Sequence, residues 1–117
     1  MPRDPDRLFH IVGSHVWSAL GAHDLYRPRS LTDEGFVHLS YADQVLGTAD
    51  RFYRDLPDPV AVEFARSGLG APVVDEDSYG AGRRFPHVYG PLPVAAAVAV
   101  HPLARGDGGY GWDVSGY

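Results

Sequence analysis

Leu8-Phe9-His10-Ile11-Val12 decides the reading of the fold. Leu8, His10 and Val12 fall on one face and Phe9 and Ile11 on the other, the pattern of a strand covered on both sides. Such a strand needs a layer above and a layer below it, and a single imidazole, His10, interrupts its apolar run. Gly13-Ser14 stops the strand, and Ser14 is placed to cap a helix over about residues 15–22, with Val16, Trp17 and Leu20 on one face. Residues 24–35, with Pro28, Ser30, Thr32, Asp33 and Gly35, read as a loop ending in a turn.

Gly35-Phe36-Val37-His38-Leu39-Ser40 reads as a second strand, with Phe36, His38 and Ser40 on one face and Val37 and Leu39 on the other. Ser40 is positioned to cap a helix over about 41–54, in which Val45, Leu46, Ala49, Phe52 and Tyr53 form one apolar stripe and Asp50 and Arg54 an exposed pair. Pro57 and Pro59 end it. Residues 60–65 form a third strand, and a short strand around 72–74 leads into Asp75-Glu76-Asp77 and a glycine-broken loop over 78–84. Phe85-Pro86-His87-Val88-Tyr89-Gly90-Pro91-Leu92-Pro93 is an extended ribbon, stiffened by its prolines. After a short turn a final strand covers 97–101, although the alanines alone would also suit a helix, and the glycine-rich tail 104–117, with Tyr110, Trp112 and Tyr117, is either disordered or draped over the body. Strands outnumber helices. The class is α+β: a single compact domain over 1–103, with a small split or mixed β-sheet and two helices, followed by the tail.

Composition narrows the chemistry. The chain has 117 residues, 44% hydrophobic and 12% aromatic, too apolar for intrinsic disorder, and has no run long enough to cross a bilayer. Its charged, proline-broken start carries no secretory signal pattern, which points to the cytoplasm. With no Cys there is no disulfide framework or thiolate nucleophile, and with all ten basic residues Arg there is no Schiff-base or phosphate-loop lysine. A formal charge of −5 offers no footprint for duplex nucleic acid.

Acid–base and binding work therefore falls to histidines, carboxylates, tyrosines and hydroxyls. His10, His38 and His87 stand in apolar, strand-like surroundings, where each imidazole must satisfy two ring nitrogens and burial disfavours its charged form. Each could be a structural histidine bonded to a backbone carbonyl, but three in so small a core are expected to line one cleft. No two share a local element with metal-ligand spacing, so no metal is expected. His15, His23 and His101 read as surface residues. Arg83 and Arg84 either pair with the anionic part of a ligand or balance the acidic triplet across the loop.

Phe9-His10-Ile11, Trp17, the block from Gly35 to Ser40 with Gln44-Val45, and the block from Phe85 to Leu92 together resemble the small bacterial family called domain of unknown function 952, over about residues 8–103. The resemblance implies a split-sheet core comparable with ADP-ribosyltransferases. In those, a first-strand His contacts the NAD ribose, a second-strand residue packs the nicotinamide, and a later Glu stabilises the oxocarbenium-like transition state. Carried onto this chain, the resemblance puts His10 at the first position, His38 or Ser40 at the second and Glu76 at the third. An obvious Tyr-then-Glu pattern is absent, and the 78–82 loop and the tail look like additions. The expected catalytic residues are His10, His38 and His87, with Ser40, Glu76, Arg84 and Tyr89 around the ligand. NAD or another nucleotide-like molecule is the expected partner; the alternatives are a small-molecule enzyme with a histidine acid or base, or a binding module without chemistry.

Overall fold

The computed structural model describes residues 3–77, 80 and 82–112. In chain order its elements are β1 (Arg7–Gly13), α1 (Ser14–Ser18), β2 (Leu25–Tyr26), α2 (Arg29–Asp33), β3 (Val37–His38), α3 (Val45–Phe52), β4 (Pro59–Ala65), β5 (Val73–Glu76), β6 (Phe85–Val88), β7 (Leu92–Pro93), β8 (Ala97–Pro102), β9 (Ala104–Gly106) and β10 (Gly109–Gly111). Two three-stranded sheets, ordered β1-β4-β8 and β3-β6-β5, form the body. Just beyond β3, Phe9 and Ser40 exchange both backbone hydrogen bonds at 2.8 Å, while the Leu39 N–H still donates to the Pro86 carbonyl. One segment thus pairs first with β6 and then with β1, which makes the sheet split. The pairs β2-β7 and β9-β10 complete it.

The two faces of β1 bury as their alternation requires. Leu8 and Val12 join Val60, Val62, Phe64, Val37, Leu39 and Val88 in one cluster, and Phe9 and Ile11 join Val45, Ala49, Ala61, Leu103 and Tyr110 in another. Among the described residues no helix is long and apolar enough to cross a membrane.

Several local expectations need correction. The sheet is not mixed, because every pairing among the described strands is antiparallel. Among the described residues there are three α-helices rather than two, and two of them span only five residues. The first ends at Ser18, short of the expected 22, and Ser14 does not cap it: its hydroxyl donates to the Asp58 carboxylate instead. The 24–35 loop contains β2 and α2. The expected 41–54 helix begins as a 3₁₀ turn over Ala42–Gln44 and is α-helical only over α3; Gln44, not Ser40, satisfies its start by accepting the Tyr41 N–H at 3.1 Å. Asp50 accepts the Tyr110 N–H at 2.8 Å rather than pairing with Arg54. Of the two alternatives for the tail, the described part is draped, since β9 and β10 seat Tyr110 in the second cluster. Tyr117 lies outside the described residues, as do positions 78, 79 and 81 of the glycine-broken loop.

Candidate functional site

The Phe9–Ser40 bridge places β1 beside the segment that carries His38, and the consequence is a bond between the first two histidines. His10 Nδ1 lies 2.9 Å from the His38 carbonyl oxygen. A carbonyl only accepts, so Nδ1 carries the hydrogen and the neutral ring keeps its lone pair on Nε2. Burial, only partly offset by that bond, pushes the His10 pKa down to about 4. His10 is therefore a neutral imidazole of fixed tautomer at any pH near neutrality. No hydrogen bond to Nε2 is formed among the described residues.

His10 and His38 both line a cleft of about 290 Å³, with Tyr26, Ser30, Tyr53 and Leu56 among its walls. The Tyr26 ring sits 5.6 Å from that of His10. A recess with room for about one water adjoins the cleft, sharing Ile11, His38 and Tyr53 with it, and contains Ser40, whose hydroxyl donates to Thr48 at 3.3 Å. His38 is held by an acid: its Nε2 lies 2.8 Å from Glu34 Oε2. Glu34, the residue just after α2, escapes sequence reading because it lies in a segment read as loop.

His87 pairs with His38 across β3 and β6, with ring centroids 5.2 Å apart, yet it does not line the cleft. It is fully buried, stacked on Phe36 at 4.1 Å, and its Nδ1 meets Glu76 Oε1 at 3.0 Å. The half-exposed Tyr89 donates to the same Glu76 oxygen at 2.5 Å. The Tyr89 hydroxyl, and then His87, hold the Glu76 carboxyl below its usual range, and the same contact raises the Tyr89 pKa. The structure therefore brings the expected residues together in two groups: His10 and His38 on the cleft with Ser40 beside it, and His87, Glu76 and Tyr89 behind His38. Of the three histidine rings expected in one cleft, His10 and His38 line it and His87 does not, being packed on Phe36 and bonded to Glu76 instead.

Glu76 is not among the residues lining the cleft, so the third position implied by the resemblance is unfilled there. Arg84 does not line it either; its backbone carbonyl accepts from Gln44 Nε2 at 2.8 Å, and Arg83 and Arg84 are both exposed. In the acidic triplet, Asp75 is engaged by the Tyr41 hydroxyl at 2.7 Å, and Arg66 reaches that hydroxyl at 2.6 Å. His101 is not a simple surface residue, since its Nε2 lies 2.7 Å from the buried Glu63 and its ring packs against Phe9 and Trp112. Its register opposite Ala61, on the covered face of β4, is the reason. Among the described residues no group of three or more His, Cys, Asp or Glu is placed to hold a metal ion. Tyr26 and Tyr53 were missed as cleft residues. Tyr53 read as the end of a core stripe, and the two-residue strand β2 is formed only by its distant pairing with Leu92 and Pro93.

A small antiparallel α+β domain with a two-histidine cleft is the class that this fold and geometry define. The chain belongs to the family described as "Protein of unknown function (DUF952)", which it matches over residues 11–100. It is similar to the protein CC0527 of Caulobacter crescentus. The crystal structure of that protein superposes with a TM-score of 0.73 at 29% identity, over 89% of this chain and 91% of that one. Its solution NMR structure gives a TM-score of 0.69 at 27% identity, over 90% of each. No curated protein matches this chain.

Proposed function

We propose that the protein binds a small, phosphate-free, ring-bearing ligand of nucleoside size in the cleft, with His10 Nε2 accepting a hydrogen bond from it. The observation that carries this reading is the buried His10 whose Nδ1–H is already committed to the His38 carbonyl. A buried acceptor without a partner is costly, and a ligand hydroxyl or N–H removes that cost. Tyr26 and Tyr53 offer aromatic faces to a ring. Among the described residues no arginine or carboxylate lines the cleft, and its volume sits at the lower edge of the roughly 300–1,000 Å³ typical of ligand pockets. On an ADP-ribosyltransferase-like scaffold the matching fragment is the nicotinamide riboside half of NAD, with the pyrophosphate left outside. Glu76 receives no role toward the ribose in this reading.

The Glu34–His38 contact supports a second reading on the same cleft. A carboxylate that orients an imidazole is the arrangement of a general base, so the bound ligand would be turned over with His38 taking its proton.

Calorimetry and thermal shift with NAD, nicotinamide riboside and adenosine test the proposal. A ligand at a hundred times its dissociation constant stabilises by roughly 2.7 kcal/mol. His10→Asn retains a donor at the position of Nδ1 while deleting Nε2, so it is expected to keep the fold and weaken binding by about 1–3 kcal/mol. The exposed His23→Ala is the control. Binding that is indifferent to His10→Asn, or no shift with any of the three at millimolar concentration, overturns the reading.

A further inference from the structure

One backbone oxygen organises a whole wall of the cleft. The Tyr53 carbonyl, at the C-terminal end of α3, accepts the Leu56 N–H at 3.1 Å and the Tyr110 hydroxyl at 2.9 Å. Tyr53 and Leu56 are the residues of that segment that line the cleft, and Tyr53 also lines the Ser40 recess. Last-turn helix carbonyls have no intrahelical partner, so what caps them decides where the chain goes next. Here the cap comes from the far end of the sequence.

Tyr110 is built to deliver it. It is buried, with its N–H donated to Asp50 Oδ1 at 2.8 Å and its hydroxyl accepting from Arg105 Nη2 at 2.8 Å. Gly109 stands at φ 129°, and a Cβ there would lie 2.7 Å from Asp50 Oδ2, so the close approach of β10 to α3 requires glycine. The hairpin is thus fixed to α3 at two points one turn apart, Asp50 and Tyr53, and the second of these touches the cleft.

We propose that Tyr110 is a positioning residue for the cleft: its hydroxyl holds the Tyr53–Leu56 wall in place, and the C-terminal hairpin is part of the site rather than an appendage. Its importance for ligand rests on the binding proposed above; its effect on the wall does not.

Tyr110→Phe removes the hydroxyl and keeps the ring that fills the second cluster, so the full-length variant is expected to fold. NMR of protein labelled at tyrosine rings and leucine methyls reads the wall without any ligand. The expected result is a displaced or broadened Tyr53 ring signal, displaced Leu56 methyls and faster hydrogen exchange at the Leu56 amide, with Leu92 methyls of the first cluster unmoved. Calorimetry with nicotinamide riboside then gives binding weakened roughly three- to tenfold, the effect of one lost hydrogen bond. Asp50→Ala is the second variant. It cuts the other anchor and leaves the hydroxyl–carbonyl bond, so the Leu56 amide should stay protected. Unchanged Tyr53 and Leu56 signals in Tyr110→Phe overturn the proposal. If the wall moves but the unaltered protein binds none of the riboside, the positioning role stands and the ligand assignment fails.

Discussion

His10 couples folding to pH. In the folded chain its pKa is depressed to about 4 by burial, whereas an unfolded histidine titrates near 6.5. The unfolded chain therefore takes up a proton as pH falls below 6.5, and the folded chain resists it until about pH 4, so stability is full above the first value and drains between the two. From pH 7.5 to 5 the loss from this one group is about 2 kcal/mol, at 1.36 kcal/mol per unit of pH. Urea unfolding of the natural chain and of His10→Asn at both pH values isolates it, because asparagine keeps the bond to the His38 carbonyl and cannot titrate. The difference between the two chains should shrink by about that amount at pH 5; a constant difference would mean that His10 is protonated in the fold. At this scale the sequence was a good guide to type and a poor guide to partners. His10 and His38 reveal themselves by interrupting apolar strands. Glu34 and the Tyr53 carbonyl do not, since nothing local marks which distant atom a loop carboxylate or a helix end will meet.

The elements that sequence reading finds best are those whose side-chain alternation is anchored on both faces. β1 and β4 appear within a residue or two of their expected limits, because Phe9, Ile11 and Ala61 on one side and Leu8, Val62 and Phe64 on the other leave only one register that buries both sets. An element held by remote pairing is invisible, as β2 shows: two residues in a segment read as loop, paired with β7 at the end of the extended ribbon. The β9–β10 hairpin is a related case, where five glycines in fourteen residues suggest a loose tail until Gly109 is seen to permit the approach to Asp50. Gly109→Ala tests that account. It combines a left-handed backbone with a Cβ too near the Asp50 carboxylate, so the hairpin should be destabilised by about 1–3 kcal/mol. Lowered thermal midpoint together with loss of hydrogen-exchange protection at the Tyr110 amide is the expected outcome, and Gly111→Ala, with open space at its Cβ, should leave both nearly unchanged.

Across the whole molecule, the sheet β1-β4-β8 is a partition between two apolar clusters, and each face needs its own cover. The first face is closed by the other half of the split sheet, through Val37, Leu39 and Val88. Among the described residues the second is covered by α3 with the flanking Ala42, Tyr53 and Leu56, by Leu103 and by the hairpin: Tyr110 belongs to this cluster, and Trp112 packs edge-on to Phe9 with centroids 5.1 Å apart. A chain ending at Leu103 would keep every strand of the body and both histidines of the cleft, yet lose the aromatic half of the second cover. Removing one buried large aromatic typically costs about 3–5 kcal/mol, and domains of this size hold only about 5–15 kcal/mol in all. The shortened chain is therefore expected to unfold at much lower urea than the full chain, with increased binding of a hydrophobic dye, because Phe9, Ile11 and Ala61 would face water. Its cleft should suffer as well, since the Tyr53 carbonyl would lose the Tyr110 hydroxyl. If residues 1–103 alone unfold at the same urea concentration as the whole chain, the second cluster does not need the hairpin, and the hold of that hairpin on the cleft wall would have to be weak.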